Sequence, residues 1–479
     1  MRTHRGSRAA GVTAGAPLAS PLETTPPALR GAHVLLDEHH LTRSVNRIAT
    51  PIIAENLFQT LLGVVDMLMV AKLGAAALAG VGTSLQIMFL AISALSAVSV
   101  GTTVLVARAS GAGNSADAVS VIKQSLLLGV ALAALLSVVG HLLAHRAIAL
   151  IGAADDVIRP GGDYLDVVAT LSIVLVIQLV CSGALRGAGD TRTPMIVTGL
   201  VNVINIAAAY GLIFGHFGLP VLGVTGSAIA ASLARAVGAG TLLWILFTGR
   251  AGLRVPLRGG WHPQGSMMRR IVAIGLPSMI EQTLISSGML LYSAVAVTLG
   301  TAVYAAQRIT FNAISISFMP GLGYGMAATT MTGQALGAGR PDLARRATWI
   351  AAGQATVWMS TMGLLLILFG QPVMRLFSHD ATIVRVGAAA LTVLALSQPL
   401  QALGQILSGS LRGSGDTRFP MVVTGASIWL VRLPLGWLFA VPLHMGLPGL
   451  YLSSIADAGV RAVVTYLRYR QGDWQRRSV

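Results

Sequence analysis

Adding 226 to a residue number carries the first half of this chain onto the second without a gap. Pro51 meets Pro277, Glu55 meets Glu281, Leu73-Gly74 meets Leu299-Gly300, and Gly111-Ala112-Gly113 meets Gly337-Ala338-Gly339. Farther along, Arg186, Asp190, Pro194 and Arg235 meet Arg412, Asp416, Pro420 and Arg461. The peptide SGALRGAGDTRTPM, from Ser182 to Met195, returns as SGSLRGSGDTRFPM from Ser408 to Met421. A constant offset held over such a length marks one structural unit built twice, and any fold must satisfy both copies.

What the unit is made of follows from its apolar runs. A bilayer-spanning helix needs about 20 apolar residues. Runs of that kind fall at 48–71, 77–107, 122–144, 162–185, 194–214 and 222–248, and again at 271–297, 302–334, 348–370, 386–411, 420–442 and 449–467. The chain is 54% hydrophobic and only 10% charged, against about 25% charged in soluble domains. In lipid every backbone N–H and C=O must be satisfied within the segment, so such runs become helices. The expectation is an all-α membrane protein of twelve transmembrane helices in two pseudo-symmetric six-helix lobes. The N-lobe spans 43–248 and the C-lobe 271–468, joined by a basic cytoplasmic connector at 249–270 and followed by a cytoplasmic C-tail at 469–479. Each repeat holds an even number of spans and inserts with the same orientation, so the pseudo-twofold axis runs along the membrane normal and substrate belongs at the repeat interface.

Residues 1–42 have no apolar h-region and cannot serve as a signal peptide. Their arginine-rich, acid-poor start has a weak transit-peptide character, and they are read as a disordered cytoplasmic tail or an over-long start. Lysine and arginine fall 24 to one side of the spans and 6 to the other, which by the positive-inside bias puts both termini in the cytoplasm of an inner (plasma) membrane protein. The formal charge of +16 is thus an orientation signal rather than a nucleic-acid footprint. The single Cys181 excludes a disulfide framework and a cysteine metal site, and the ten histidines lack ligand spacing. No clustered Asp, His and Ser within the spans speaks for a membrane-embedded enzyme.

The doubled peptide ends one helix and starts the next. Gly187 and Gly189 permit a left-handed stop, Pro194 suits a first helical turn, and Asp190 and Thr191 can satisfy loose amides. It lacks the G-x-x-x-x-G-K-[ST] pattern and the preceding strand of a phosphate loop. It reads as a turn that also orients the chain, with a state-dependent contact between lobes as the alternative.

Ionisable groups inside spans are costly, and therefore functional candidates. Asp66, in LLGVVDMLMVAKLG, is the sharpest; its repeat mate is Tyr292, so the lobes are not chemically equivalent. Glu55 and Glu281 each follow a proline by four residues and either line a cavity, take part in coupling or brace a kink. Asp457 and Arg461 are four apart on one helix face and read as a structural pair, whereas Arg235 has Ala231 at the matching place. Arg432, two before Pro434, is a candidate cavity residue. Asn202, Asn205, Gln178, Gln282, Gln401 and Gln405 offer helix–helix hydrogen bonds or ligand contacts.

ATPIIAENLFQTLLGVVDMLMVAKLGAAALAGVG, the doubled LRGxGDTRxPM, SGAGNSADA and LGAGRPDLARR together resemble the multidrug and toxic compound extrusion (MATE) family over about residues 45–470. The resemblance implies a secondary antiporter that exports cationic or amphipathic compounds in exchange for H+ or Na+ by alternating access, without a cofactor or an obligate protein partner. It assigns Asp66 to the family's first-helix acid and Asn205 to the asparagine of its fifth-helix Asn-x-x-x-Asp pair. Ala209 stands where that pair's aspartate would be, Ile285 where one bacterial subgroup has a glutamate, and Gln401 where it has an aspartate. With one carboxylate left in the N-lobe site, proton coupling is expected over sodium. A lipid-linked precursor flippase of the same broader superfamily is the alternative; it calls for a more cationic central cavity.

Overall fold

The computed structural model describes residues 38–250 and 252–477. The tail expectation falls largely outside these residues. Where it does not, the chain is already helical: a 3-10 turn at Glu38–His40 leads into the first long helix at Leu41.

Twelve helical passes run through the described residues. They are α1 (Leu41–Ala71), α2 (Ala75–Gly111), α3 (Ser115–Leu150), α4 (Asp155–Thr170 and Ser172–Ala188), α5 (Arg192–Phe214) and α6 (Gly223–Thr248) in the first lobe. The second lobe has α7 (Gly265–Thr298), α8 (Thr301–Gly337), α9 (Pro341–Leu368), α10 (Ala381–Leu396 and Gln398–Gly413), α11 (Arg418–Ala440) and α12 (Gly446–Gln471). Eight are long and apolar enough to cross a bilayer, and ten are if each bent pair counts as one span; α8 and α12 are long but less apolar. Most helices run several residues past the apolar runs, because a helix continues beyond the hydrocarbon until a cap ends it. Asn114 accepts from the Asp117 amide at 3.0 Å to start α3, and Asp380 accepts from the amides of Thr382 and Ile383 to start α10.

The repeat is reproduced in detail. Gly74 and Gly300 take φ of 110° and 109°, and Gly189 and Gly415 take 93° and 89°; only glycine adopts such values without strain. The two bends also correspond. α4 breaks at Leu171 by 53° and α10 at its repeat mate Ser397 by 47°, two interruptions that apolar periodicity did not reveal.

The lobes meet at the end that carries the doubled peptide, called here the basic end. α1 packs on α8, and α2 packs on both α7 and α8. Gly111 and Gly337 are repeat mates, and each lies directly against the backbone of the opposite lobe, Gly111 on Gln334 and Gly337 on Arg108. Neither leaves room for a Cβ. The basic-end half of α1 is buried through Ile52 and Glu55, whereas Leu57, Leu61, Val64 and Leu68 farther along are exposed.

Over-packing a tight crossing costs about 1–3 kcal/mol. Gly337→Val is therefore expected to loosen this end. A cysteine placed at Ala335, fully buried here, should resist a membrane-impermeant maleimide in the parent and react with it in the Gly337→Val background; equal labelling would refute the crossing as the closure.

Candidate functional site

The arginines of the doubled peptide do more than orient the chain. In the first lobe Arg186, from the end of α4, reaches Glu55 of α1 at 2.5 Å, and Thr198 of α5 donates to the same carboxylate at 3.4 Å. In the second lobe Arg412 reaches Glu281 at 3.0 Å, and Thr424 donates to it at 3.0 Å. All three members correspond under the repeat. Each glutamate sits one turn beyond a helix-interior proline, and each is nearly sealed, Glu55 at 2% and Glu281 at 4% exposure. The glutamates therefore hold three helices together in each lobe. Of the readings open for the two glutamates, Glu281 keeps one edge on the cavity described below, whose lining does not include Glu55.

The backbone turns of the doubled peptide are docking points for the opposite lobe. Gln334 on α8 donates to the Gly187 carbonyl at 2.9 Å. Arg108 on α2 donates to the Ser414 carbonyl at 2.9 Å and to the Arg477 carbonyl at 2.7 Å. Arg108 and Gln334 are repeat mates, so the pair forms a pseudo-symmetric clasp across the lobe interface. By sequence alone Arg108 is one more basic residue at the end of an apolar run, and its 226-residue register with Gln334 is the available signal. Asp416 is further strapped by Arg477 at 2.6 Å and Arg468 at 3.3 Å.

Asp66 lies within hydrogen-bond reach of Asn205 of α5, whose side-chain amide donates to it at 2.8 Å. Asn205 is buried, and its own Oδ1 has no hydrogen-bond partner among the described residues. Arg235 and Tyr164 lie within electrostatic range of Asp66. Asn202, one turn away, instead donates to the Phe58 carbonyl at 2.6 Å and ties α5 to α1. A carboxylate beside a buried amide with an idle oxygen can take up a proton, or can offer two oxygens to a small cation.

A cavity of about 500 Å³, called here the C-lobe cavity, is lined mainly by residues of α7, α8, α10, α11 and α12, with Ser96 and Val100 of α2 on its remaining side. Gln282 and Gln401 line it, as do Ile285, Met289, Phe311 and Phe318. Tyr292 does not. It is 1% exposed and hydrogen-bonded to the Leu450 carbonyl at 2.5 Å, with the Arg432 guanidinium 4.5 Å above its ring. Asp457 pairs with Arg461 at 2.8 Å, but it also accepts from Ser427 at 2.5 Å and lies 3.9 Å from Arg432. Ser427 and Arg432 bound a π-helical stretch in α11. Pro434 lacks the N–H that would bond back to Leu430, and the backbone widens there.

Known proteins bring these features together. The MatE family model matches residues 51–211 and 277–438, once per lobe. The probable multidrug resistance protein NorM of Thermotoga maritima is 34% identical over 92% of this chain and 94% of its own length. Multidrug resistance protein NorM of Burkholderia vietnamiensis is 29% identical over 88% of this chain and 92% of its own. A solved outward-facing conformation of a multidrug resistance MATE family transporter of the MOP superfamily superposes with a TM-score of 0.86 at 24% identity, covering 94% of this chain and 99% of that one.

Removing one partner of a buried ion pair costs about 3–5 kcal/mol, whereas replacing both with apolar groups is far milder. Glu55→Gln should therefore lower the thermal unfolding midpoint by more than the Glu55→Leu/Arg186→Leu double variant does; the reverse order would show that the pair is dispensable. Two lobes related by the repeat, a part-buried acid–amide pair in one of them and a cavity walled mainly by the other are joined to a family match over both halves: the chain belongs to the MATE family of multidrug transporters.

Proposed function

We propose that this protein exports amphipathic compounds across the inner membrane by alternating access, in exchange for protons taken up at Asp66. The observation that carries the reading is the Asp66–Asn205 pair. It places an acid against a buried amide in one lobe, at a position whose mate is Tyr292. With the basic end in the cytoplasm, as the lysine and arginine bias favours, lobes joined at that end correspond to an outward-open arrangement.

When Asp66 is ionised, the Asn205 amide makes a charge-assisted hydrogen bond to it, and such bonds are about twice as strong as neutral ones. A proton on Asp66 removes that advantage and frees α1 to move against α5. Coupling then requires that substrate bind the two arrangements with different affinity. Of the cationic or amphipathic substrates that the family resemblance implies, the apolar wall of Ile285, Met289, Phe311 and Phe318 supports the amphipathic class. Glu55, Glu281 and Asn202 serve as braces in this scheme, and Gln282 and Gln401 as neutral contacts in the cavity. With Ala209 where the family resemblance puts a second carboxylate, a sodium ion would lack one of the hard anionic ligands it favours.

Proteoliposomes with separately imposed gradients test the scheme. A proton gradient alone should drive movement of a fluorescent amphipathic dye, and a sodium gradient alone should not. Asp66→Asn, inserted at normal abundance, should lose the gradient-driven component; undiminished efflux by that variant, or a response to sodium only, would overturn the assignment.

A further inference from the structure

The charges around the C-lobe cavity do not cancel. Three arginines line it: Arg412, Arg432 and Arg461. Two carboxylates answer them. Glu281 is taken by Arg412, and Asp457 is shared between Arg432 and Arg461. The group therefore carries one positive charge in excess, in a setting where an uncompensated charge is expensive.

Access sharpens the imbalance. The Arg412, Arg432 and Arg461 side chains keep 29%, 11% and 22% of their exposure, whereas Asp457 keeps none. A molecule in the cavity thus meets the guanidinium groups, while the acid that partly neutralises them is sealed behind. Among the described residues nothing accepts a hydrogen bond from the Nε of any of the three. The arrangement also belongs to one lobe alone. Arg412 and Glu281 repeat Arg186 and Glu55, and Arg461 repeats Arg235, but the repeat mates of Asp457 and Arg432 are the uncharged Ala231 and Ile206. The π-helical stretch in α11, too, has no counterpart in α5.

We propose that the C-lobe cavity selects amphipathic molecules that carry an acidic group, a carboxylate in a drug-sized compound, with that group held by Arg432 and Arg461 and the apolar body against Ile285, Met289, Phe311 and Phe318. This deepens the transport reading above by naming the substrate class of its cavity. A guanidinium offers a planar fork of donors matched to carboxylate geometry. Gln401, which already accepts from Arg461 at 3.4 Å, and Gln282 can supply further polar contacts to the acid's neighbours. A cation in the same place would add to the excess charge rather than offset it.

The test compares dansylglycine with its methyl ester. Both share one fluorescent body, and only the first carries a carboxylate. Binding is read by fluorescence anisotropy on the full-length protein in phosphatidylcholine nanodiscs, with empty discs subtracted. No ion gradient is present, so the result stands or falls independently of whether proton coupling holds. A charge-assisted contact predicts that the acid binds roughly tenfold tighter than the ester. Arg432→Gln leaves the 2.8 Å Arg461–Asp457 pair in place and should abolish most of that preference with the ester affinity unchanged. Arg461→Gln leaves Asp457 with Arg432 and Ser427 and should do the same, which covers the case in which one variant misfolds.

Equal or tighter binding of the ester to the parent protein would overturn the proposal without any variant. So would a parallel loss of both ligands in variants that melt like the parent. Discs doped with phosphatidylglycerol separate the other source of an anionic group. If the acid's preference survives there, the small carboxylate owns the site; if anionic lipid displaces it, the cavity receives headgroup phosphate and the proposal fails in favour of a lipid substrate.

Discussion

In each lobe an arginine from the last turn of the bent helix is buried against a glutamate one turn past a helix-interior proline, with a threonine from the next helix on the same carboxylate. The proline leaves its preceding turn without one backbone hydrogen bond, and beside it the ion pair draws three helices to one point. Neither charge can leave without stranding the other in a medium that solvates it poorly. The positions of α1, α4 and α5, and of α7, α10 and α11, follow from that constraint, and so does the placement of the turns that the opposite lobe grips.

Those turns join the lobes. Arg108 and Gln334 occupy equivalent places and each donates to a backbone carbonyl across the interface, while Gly111 and Gly337 let the two α-helices cross without side chains between them. Such hydrogen bonds are modest and reversible, about 0.5–1.5 kcal/mol for the neutral Gln334 amide and about 1.5–3 kcal/mol for the charged Arg108 guanidinium. Contacts of that strength suit the alternating access proposed above, in which they would form and break, whereas the glutamate pairs stay within a lobe.

On this symmetric frame the groups proposed for coupling and binding lie asymmetrically. One lobe carries Asp66 and Asn205; the other carries a cavity with Arg432, Arg461 and the sealed Asp457. Duplication supplied the frame twice, and single substitutions such as Asp66 against Tyr292, or Ala231 against Asp457, made the halves differ. The π stretch before Pro434 belongs to the same divergence, since it lets both Ser427 and Arg432 meet Asp457.

Much of this was legible along the chain, because it is periodic or local. The 226-residue register, the helical class, the left-handed stop at Gly189 and its mate Gly415 (Gly187, equally eligible by sequence, stays helical), the four-residue spacing of Asp457 and Arg461, and the unmatched Asp66 are all properties of order and spacing. What tertiary structure decided involves residues far apart in that order. Glu55 and Arg186 lie 131 positions apart, as do Glu281 and Arg412, and nothing in either segment says that helix packing will oppose them. The bend at Leu171 falls in an apolar stretch with no local signature, and of its mate at Ser397 the sequence offers only Pro399, in the first turn of the segment after the break. The sharing of Asp457 between two arginines depends on how α11 leans on α12, so the net charge of the cavity could be counted only after the helices were assembled. Sequence sets which charges a span must carry; packing sets which of them are left facing the cavity.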